Sequence, residues 1–301
     1  MRVLVAGSTG VLGRQVVPVL RAAGHDVIGL ATRRTDSAEP TVIANAFDKD
    51  GLVDAVVQAK PDAVVHLMTA IPKRIEPKRL AKQFALTNRL RTEGTANLIA
   101  GARRAGADRI ITQGLAYGYE PGPGVAREED PLWVHGPAQF RPVARALVEH
   151  ERLTVQAGGL VLRFGHLYGP GTAYAADGTF IADVQSGKVP LVGGGHATFS
   201  FTHSRDAAMA VLAGLDKDVH GKLNIVDDAP TPVAEWLPAL ATLLGAPEPK
   251  PAPAWLARLA VGGWGVAFMN ELRGADNARA RLQLDWRPGY RTWRAGFAAE
   301  L

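Results

Sequence analysis

The 301-residue sequence predicts an α/β fold, a doubly wound parallel sheet with helices on both faces and a smaller C-terminal lobe. Three observations predict it. Short, β-branched-rich runs alternate with helix-length segments through the first half of the chain. Each run is apolar throughout rather than alternating, as a strand covered on both faces must be. After Gly171 the rhythm breaks: glycines and prolines crowd in (Gly193-Gly194-Gly195, Pro230, Pro232) and the strands become brief.

Strands are expected at Arg2–Ala6, Asp26–Ala31, Thr41–Ala44, Ala63–Leu67, Arg109–Thr112 and Leu160–Arg163. Helices are expected over Gly10–Ala23, Asp50–Gln58, a long segment near Ala81–Ala105, and Pro142–Ala157. The first strand opens at Met1-Arg2-Val3, so no leader segment is expected before it, and the cytoplasm is the default location. Later helices read as Ala207–Leu215 and Ala234–Leu244, and Pro247–Pro253 as a proline-rich connector.

Composition excludes several functions. There are no cysteines, which removes disulfides, thiol catalysis and cysteine-bound metal. The eight histidines show no metal-ligand spacing, so no metal site is expected. Net charge is +5, but the arginines are spread out and Lys73–Lys82 is only a modest cluster. A nucleic-acid face would gather charge with aromatics between, so no nucleic-acid partner is expected. Trp255–Met269 is apolar but broken by Arg258 and glycines, and too short for a membrane span. A small-molecule partner remains.

The chemistry-bearing motif is Gly7-Ser8-Thr9-Gly10-Val11-Leu12-Gly13, between the first strand and the first helix. Gly7 can make the tight turn, Gly10 lets backbone approach a pyrophosphate, and Gly13 lets helix and strand pack closely. The helix N-terminus then aims N–H groups and its positive dipole end at phosphate. This is the context of a Rossmann-type dinucleotide site, with Thr9, Val11 and Leu12 completing the loop. Residues 1–165 are expected to form an NAD(P)-binding domain, with 200–226 returning to it and 166–301 supplying the smaller substrate-binding lobe. An acid ending the second strand would favour NAD, but Asp26 begins that strand and its far end reads Ala31-Thr32-Arg33-Arg34. Two guanidinium groups suit a 2′-phosphate, so NADP is favoured and NAD remains possible.

The G-x-x-G-x-x-G spacing resembles the extended short-chain dehydrogenase/reductase family, which includes nucleotide-sugar epimerases and dehydratases. The resemblance runs along nearly the whole chain. Pro61–Leu67 looks like that family's fourth strand. Asn88 with Thr92-Glu93-Gly94-Thr95-Ala96-Asn97-Leu98 looks like its N-x-x-G-T-x-N-L helix, slightly lengthened. Leu162–Gly171 is similar to its R-x-x-N-x-Y-G-P-G segment, with His166 for Asn; Phe201–Ala207, Leu223–Val226 and Leu284–Pro288 match later landmarks. The resemblance implies cofactor contacts at Asn45, Ala46, Leu67, Met68, Asn88 and Gln113, a substrate contact at Thr69, and often a homodimer through two long helices.

The family's proton-transfer pair is Tyr-x-x-x-Lys with a Ser or Thr. Here no tyrosine has a lysine four residues on, and no lysine lies between Lys82 and Lys188. Thr112-Gln113-Gly114 stands where the Ser or Thr is expected. Replacement catalysts are Tyr117, His166 and Gln113, and the Tyr119 phenol could donate a proton as well. Arg141 and Arg145, four apart on a helix, are candidate substrate clamps, and His166 is also placed at the substrate. Three readings stay open: an atypical NADP-dependent oxidoreductase or epimerase-like enzyme on a small or nucleotide-linked carbonyl or hydroxyl compound; a non-redox lyase, isomerase or cyclase; and a non-enzymatic NADP(H) sensor.

Overall fold

The computed structural model describes residues 1–33 and 40–301. Seven strands form the main sheet: β1 (Arg2–Ala6), β2 (Asp26–Ala31), β3 (Thr41–Ile43), β4 (Ala63–His66), β5 (Arg109–Leu115), β6 (Leu160–Phe164) and β7 (Gly221–Ile225). Their order is β7-β6-β5-β4-β1-β2-β3, and every neighbouring pair is parallel. The order reverses between β1 and β4, which opens a crevice beyond their C-terminal ends.

Alternation along each strand feeds two cores. Val3 and Val5 face α1 (Gly13–Ala22) and meet Val16, Leu20 and, from a helix late in the chain, Ala207 and Val211. Leu4 and Ala6 face the other way, onto Leu52 and Val56 of α2 (Lys49–Ala59) and Leu98 and Ala102 of α3 (Thr95–Ala105). Between α2 and α3, a Cβ at Gly101 would lie 3.0 Å from Val56 Cβ, so glycine sets how closely they pack. Next comes α4 (Arg141–Gln156), and the late helix is α5 (Ser204–Asp216). It packs on α1, and β7 follows it into the sheet beside β6.

Two expected elements differ. The fifth strand continues past Thr112 to Leu115, because β6 reaches Phe164 and keeps the ladder paired through Gln113↔Leu162 and Leu115↔Phe164. The long helix near 81–105 is not continuous. It comprises Leu80–Gln83, Ala85–Arg89, a π-helical turn at Leu90–Gly94, and α3. The Thr95 hydroxyl donates to the Leu90 carbonyl inside that wider turn.

The C-terminal lobe is built on aromatic packing. Phe199, Phe201, Trp236, Trp293 and Phe297 form one buried cluster with Tyr168. Over it lies α6 (Ala254–Asn270), bent at Gly262, whose φ of 73° a residue with a Cβ would adopt only under strain. Among the described residues, no helix is long and apolar enough to cross a membrane.

Candidate active site

The phosphate loop is held by its own backbone. Gly10 N–H donates to the Gly7 carbonyl, and Arg14 N–H to the Gly10 carbonyl. Gly7 has φ 90°, and a Cβ there would come within 2.9 Å of the Leu67 backbone. A Cβ on Gly13 would stand 2.2 Å from the Gly7 carbonyl oxygen. Thr9 and Gly10 are exposed, Val11 is half-buried and Leu12 is buried in the core beneath. No side chain caps α1 and no acid occupies its first turn. Its N–H groups and positive dipole end are therefore left for an anion. Arg14 adds a cation that sequence reasoning passed over, its Nη1 donating to the Thr9 carbonyl at 2.9 Å.

The remaining cofactor positions lie along the same sheet edge. Arg33 is exposed just beyond β2, while Arg34 lies outside the described residues. Asn45 is exposed and its Oδ1 accepts from Phe47 N–H; the Ala46 carbonyl accepts from Asn97 Nδ2. Leu67 and Met68 follow β4. Gln113 Nε2 donates to the Leu67 carbonyl at 3.3 Å, joining the ends of β4 and β5. Thr69 is exposed one residue further on. Asn88 is half-buried, its Oδ1 enclosed without a hydrogen-bond partner. These groups fit a dinucleotide: a glycine cradle, an uncapped helix start and cations beside it.

The chain has no Tyr-x-x-x-Lys pair, and the buried face of α4 is mainly apolar. The face of α4 turned to the sheet bears Val143, Leu147 and Glu151, four apart, all buried. Glu151 binds Arg163 of β6 through both carboxylate oxygens, at 2.7 and 2.5 Å. Arg141 and Arg145 fall on the opposite side of α4 and are exposed, Arg141 Nε being tied to the Gly136 carbonyl. The helical period that aligns them with each other turns them away from the face at the sheet, against their expected role as a substrate clamp. Thr112 is buried against Thr154, 3.1 Å between hydroxyls, because β5 runs on past it.

The other candidates divide. Tyr119 donates to Asn224 and accepts from Arg163, a buried structural network. Tyr117 lies with its ring centroid 4.3 Å from His166, whose ring also meets Phe199 at 3.8 Å and Phe268 at 5.4 Å. Burial holds the His166 pKa down to about 3, and its Nε2 has no hydrogen-bond partner. In this structure His166 is a neutral ring packed among buried aromatics rather than a group poised to titrate near neutral pH. Burial also pushes the Tyr117 phenol up, partly countered by the Arg91 charge.

Arg91 was not singled out by sequence reasoning. It sits in the π-turn, only 4% exposed, with Nη1 lacking any partner. Burial holds its pKa down to about 10. Around it His66, Thr95 and His150 form a hydrogen-bonded chain that ends at an unpartnered His150 Nε2: Met68 N–H donates to His66 Nδ1, and Thr95 Oγ1 lies 2.9 Å from His66 Nε2 and 2.8 Å from His150 Nδ1. Burial keeps both histidines neutral, His66 at about 4 and His150 well below its usual value. The spacing held a signal. In N-x-x-G-T read without an insertion, the residue three before Gly94 is Arg91, not Asn88. Among the described residues no group of acids and histidines converges to hold a metal.

Fold, glycine cradle and sheet-edge crevice together define an NAD(P)-binding α/β enzyme. The NAD dependent epimerase/dehydratase family profile matches residues 3–226, and the chain belongs to that family. It departs from the family's usual Tyr-Lys chemistry. Over its full length it is 44% identical to a 3-diazoavenalumate denitrifying reductase of a Streptomyces species, in an alignment of 306 positions that covers 100% of both chains. It is 29% identical to the bovine epimerase family protein SDR39U1, over 84% of each chain. Among solved structures, human SDR39U1 with NADPH superposes with a TM-score of 0.77 at 21% identity, covering 100% of this chain and 99% of that one. UDP-glucose 4-epimerase of Thermus thermophilus with NAD gives 0.76 at 21% identity, covering 100% and 97%. At such identities these superpositions speak to the fold.

Proposed function

We propose that this chain is an NADPH-dependent reductase that removes the nitrogen of an aromatic diazo compound. The observation that carries the reading is the missing pair: no tyrosine of the chain has a lysine four residues on, and the buried face of α4 carries Val143 and Leu147 rather than a proton donor. Epimerisation and carbonyl reduction move a proton at the reacting oxygen, and a site without a phenol–ammonium pair is poorly built for either. Reductive loss of dinitrogen has a different balance. An arenediazonium, Ar–N2+, gains a hydride to become Ar–N=N–H; the C–N bond then breaks, the hydrogen passes to the ring carbon and N2 leaves. The sum, Ar–N2+ plus NADPH giving Ar–H, N2 and NADP+, takes no external proton.

When bound, the nicotinamide supplies the hydride. The chain's own residues bind and shield. The glycine loop, Arg14 and Arg33 take the phosphates, and Arg33 beyond β2, with no acid there among the described residues, supports NADPH over NADH. Tyr117, His166, Phe199 and Phe268 supply an aromatic wall for a flat substrate. Full-length similarity to a relative named for a diazo substrate, denitrification and reduction supports the same reading.

The test follows NADPH oxidation by absorbance with meta-carboxybenzenediazonium, UDP-glucose and a simple aryl ketone in parallel. The proposal expects turnover with the diazonium and none above background with the other two. Turnover of the sugar nucleotide or the ketone alone contradicts it.

A further inference from the structure

We propose that Arg91 is the anion-binding residue of the active site, a buried and unpaired guanidinium in the π-turn beside Tyr117 that takes an anionic oxygen of the substrate, carboxylate or aryl oxide. The inference rests on the reductase reading for its substrate but on the geometry for the site itself.

Three observations carry it. First, Arg91 is 4% exposed, yet among the described residues no carboxylate forms an ion pair with it and its Nη1 bonds to nothing. Arg163, buried as deeply, is instead gripped by Glu151 and Tyr119. A buried cation left bare is costly, and an anionic ligand group would supply the partner it lacks. Second, its neighbours carry no negative charge. His66, Thr95 and His150 bond to one another, His150 Nε2 is left without a partner, and burial keeps both rings neutral, so no internal anion answers the charge. Third, it stands at the C-terminal edge of the sheet: Thr95 bonds to Leu90 of the π-turn and to His66, the last residue of β4. The π-turn lies between the segment after β4 and α3, and the Arg91 charge acts on the Tyr117 phenol, whose ring lines the aromatic wall.

The consequence for substrate is specific. A diazonium is itself a cation and would be repelled beside a fixed guanidinium. A substrate that carries its own carboxylate or aryl oxide is neutral overall and brings the missing partner to Arg91. The selected class is therefore diazonium compounds with an anionic oxygen on the same molecule.

Arg91→Met and Arg91→Lys test this in the full-length protein. Benzoate and para-nitrophenolate are titrated into the NADP+ complex, which needs no turnover, and NADPH affinity and melting temperature are read alongside. Arg91→Met is expected to weaken the ligand that uses the site by about 10- to 100-fold, the worth of a charge-assisted hydrogen bond. Which probe weakens tells carboxylate from aryl oxide. Arg91→Lys keeps the charge and should retain much of the binding. NADPH affinity should stay within about threefold, and the melting temperature of Arg91→Met should hold or rise, because an unpaired buried charge has been removed.

Unchanged affinity for both probes, no binding of either to the wild type, or a joint fall in melting temperature and NADPH affinity overturns the proposal. In kinetics, meta-carboxybenzenediazonium and ortho-hydroxybenzenediazonium are compared with unsubstituted benzenediazonium. Arg91→Met should raise KM only for a substituted one. If no diazonium is reduced but probe binding is lost in Arg91→Met, the anion site stands and the reductase reading falls.

Discussion

Gly13 and the buried histidines show how single residues fix both cofactor binding and pH response. A methyl group at position 13 would press into the Gly7 and Ser8 carbonyls, at 2.2 and 2.3 Å, and backbone cannot yield as a side-chain tip can. Gly13→Ala is expected to cost about 1–3 kcal/mol and to abolish tight NADPH binding, checked by thermal melting and cofactor titration. Equal affinity would show that the loop does not hold the phosphates. The histidines give a pH prediction. His166 at about 3, His66 at about 4 and His150 well below its usual value all lie under an unfolded value of about 6.5. Below that pH the unfolded chain binds protons that the fold refuses, so stability is full above it and falls as pH drops toward 3–4. Asp227, a buried carboxyl pushed up to about 7, and Glu128, also raised by burial, act oppositely but are two groups against three. Urea midpoints should decline between about pH 7 and 5; a rise would contradict the burial argument. The glycines were legible in the sequence because each has a fixed mechanical task at fixed spacing. Arg91 was not, since its meaning depends on the absence of a partner, which only three-dimensional packing reveals.

At the scale of elements, α4 and the π-turn decide what the cleft can do. Glu151 and Arg163 pin α4 to β6, with the pair buried to 8% and 1% side-chain exposure. Glu151→Gln should cost about 3–5 kcal/mol, because it leaves the guanidinium buried without its countercharge. Denaturant unfolding measures this, and a change below about 1 kcal/mol would mean that the pair is not what seats the helix. Strands β1, β2, β4 and β6 were legible nearly to the residue, since runs such as Val3-Leu4-Val5 and Ala63-Val64-Val65 are apolar on both faces. The break in the 81–105 helix was not. Leu90-Arg91-Thr92-Glu93 is good helix sequence, and the widened turn answers packing against α4 rather than local propensity. Arg141 and Arg145 were legible only in part for a related reason: their spacing puts them on one face, but only the packing of α4 says which face meets the sheet.

For the molecule as a whole, a dinucleotide fold is retained and the Tyr-x-x-x-Lys pair is absent from the chain. The fold was legible because seven parallel strands and their crossovers impose a pattern on most of the chain. The reaction was not, because one scaffold carries many chemistries. A hydride donor facing a substrate that needs no added proton reconciles the two. It also predicts that kcat/KM varies little between about pH 6 and 8, where no wall residue titrates. The most direct measurement is the stoichiometry of the single turnover. Enzyme, NADPH and a diazonium carrying isotopically labelled terminal nitrogen are mixed, and NADPH loss and labelled dinitrogen are counted together. One dinitrogen per NADPH oxidised, with the denitrified arene as product, is the predicted result. NADPH consumption without dinitrogen, or dinitrogen release independent of NADPH, would contradict it.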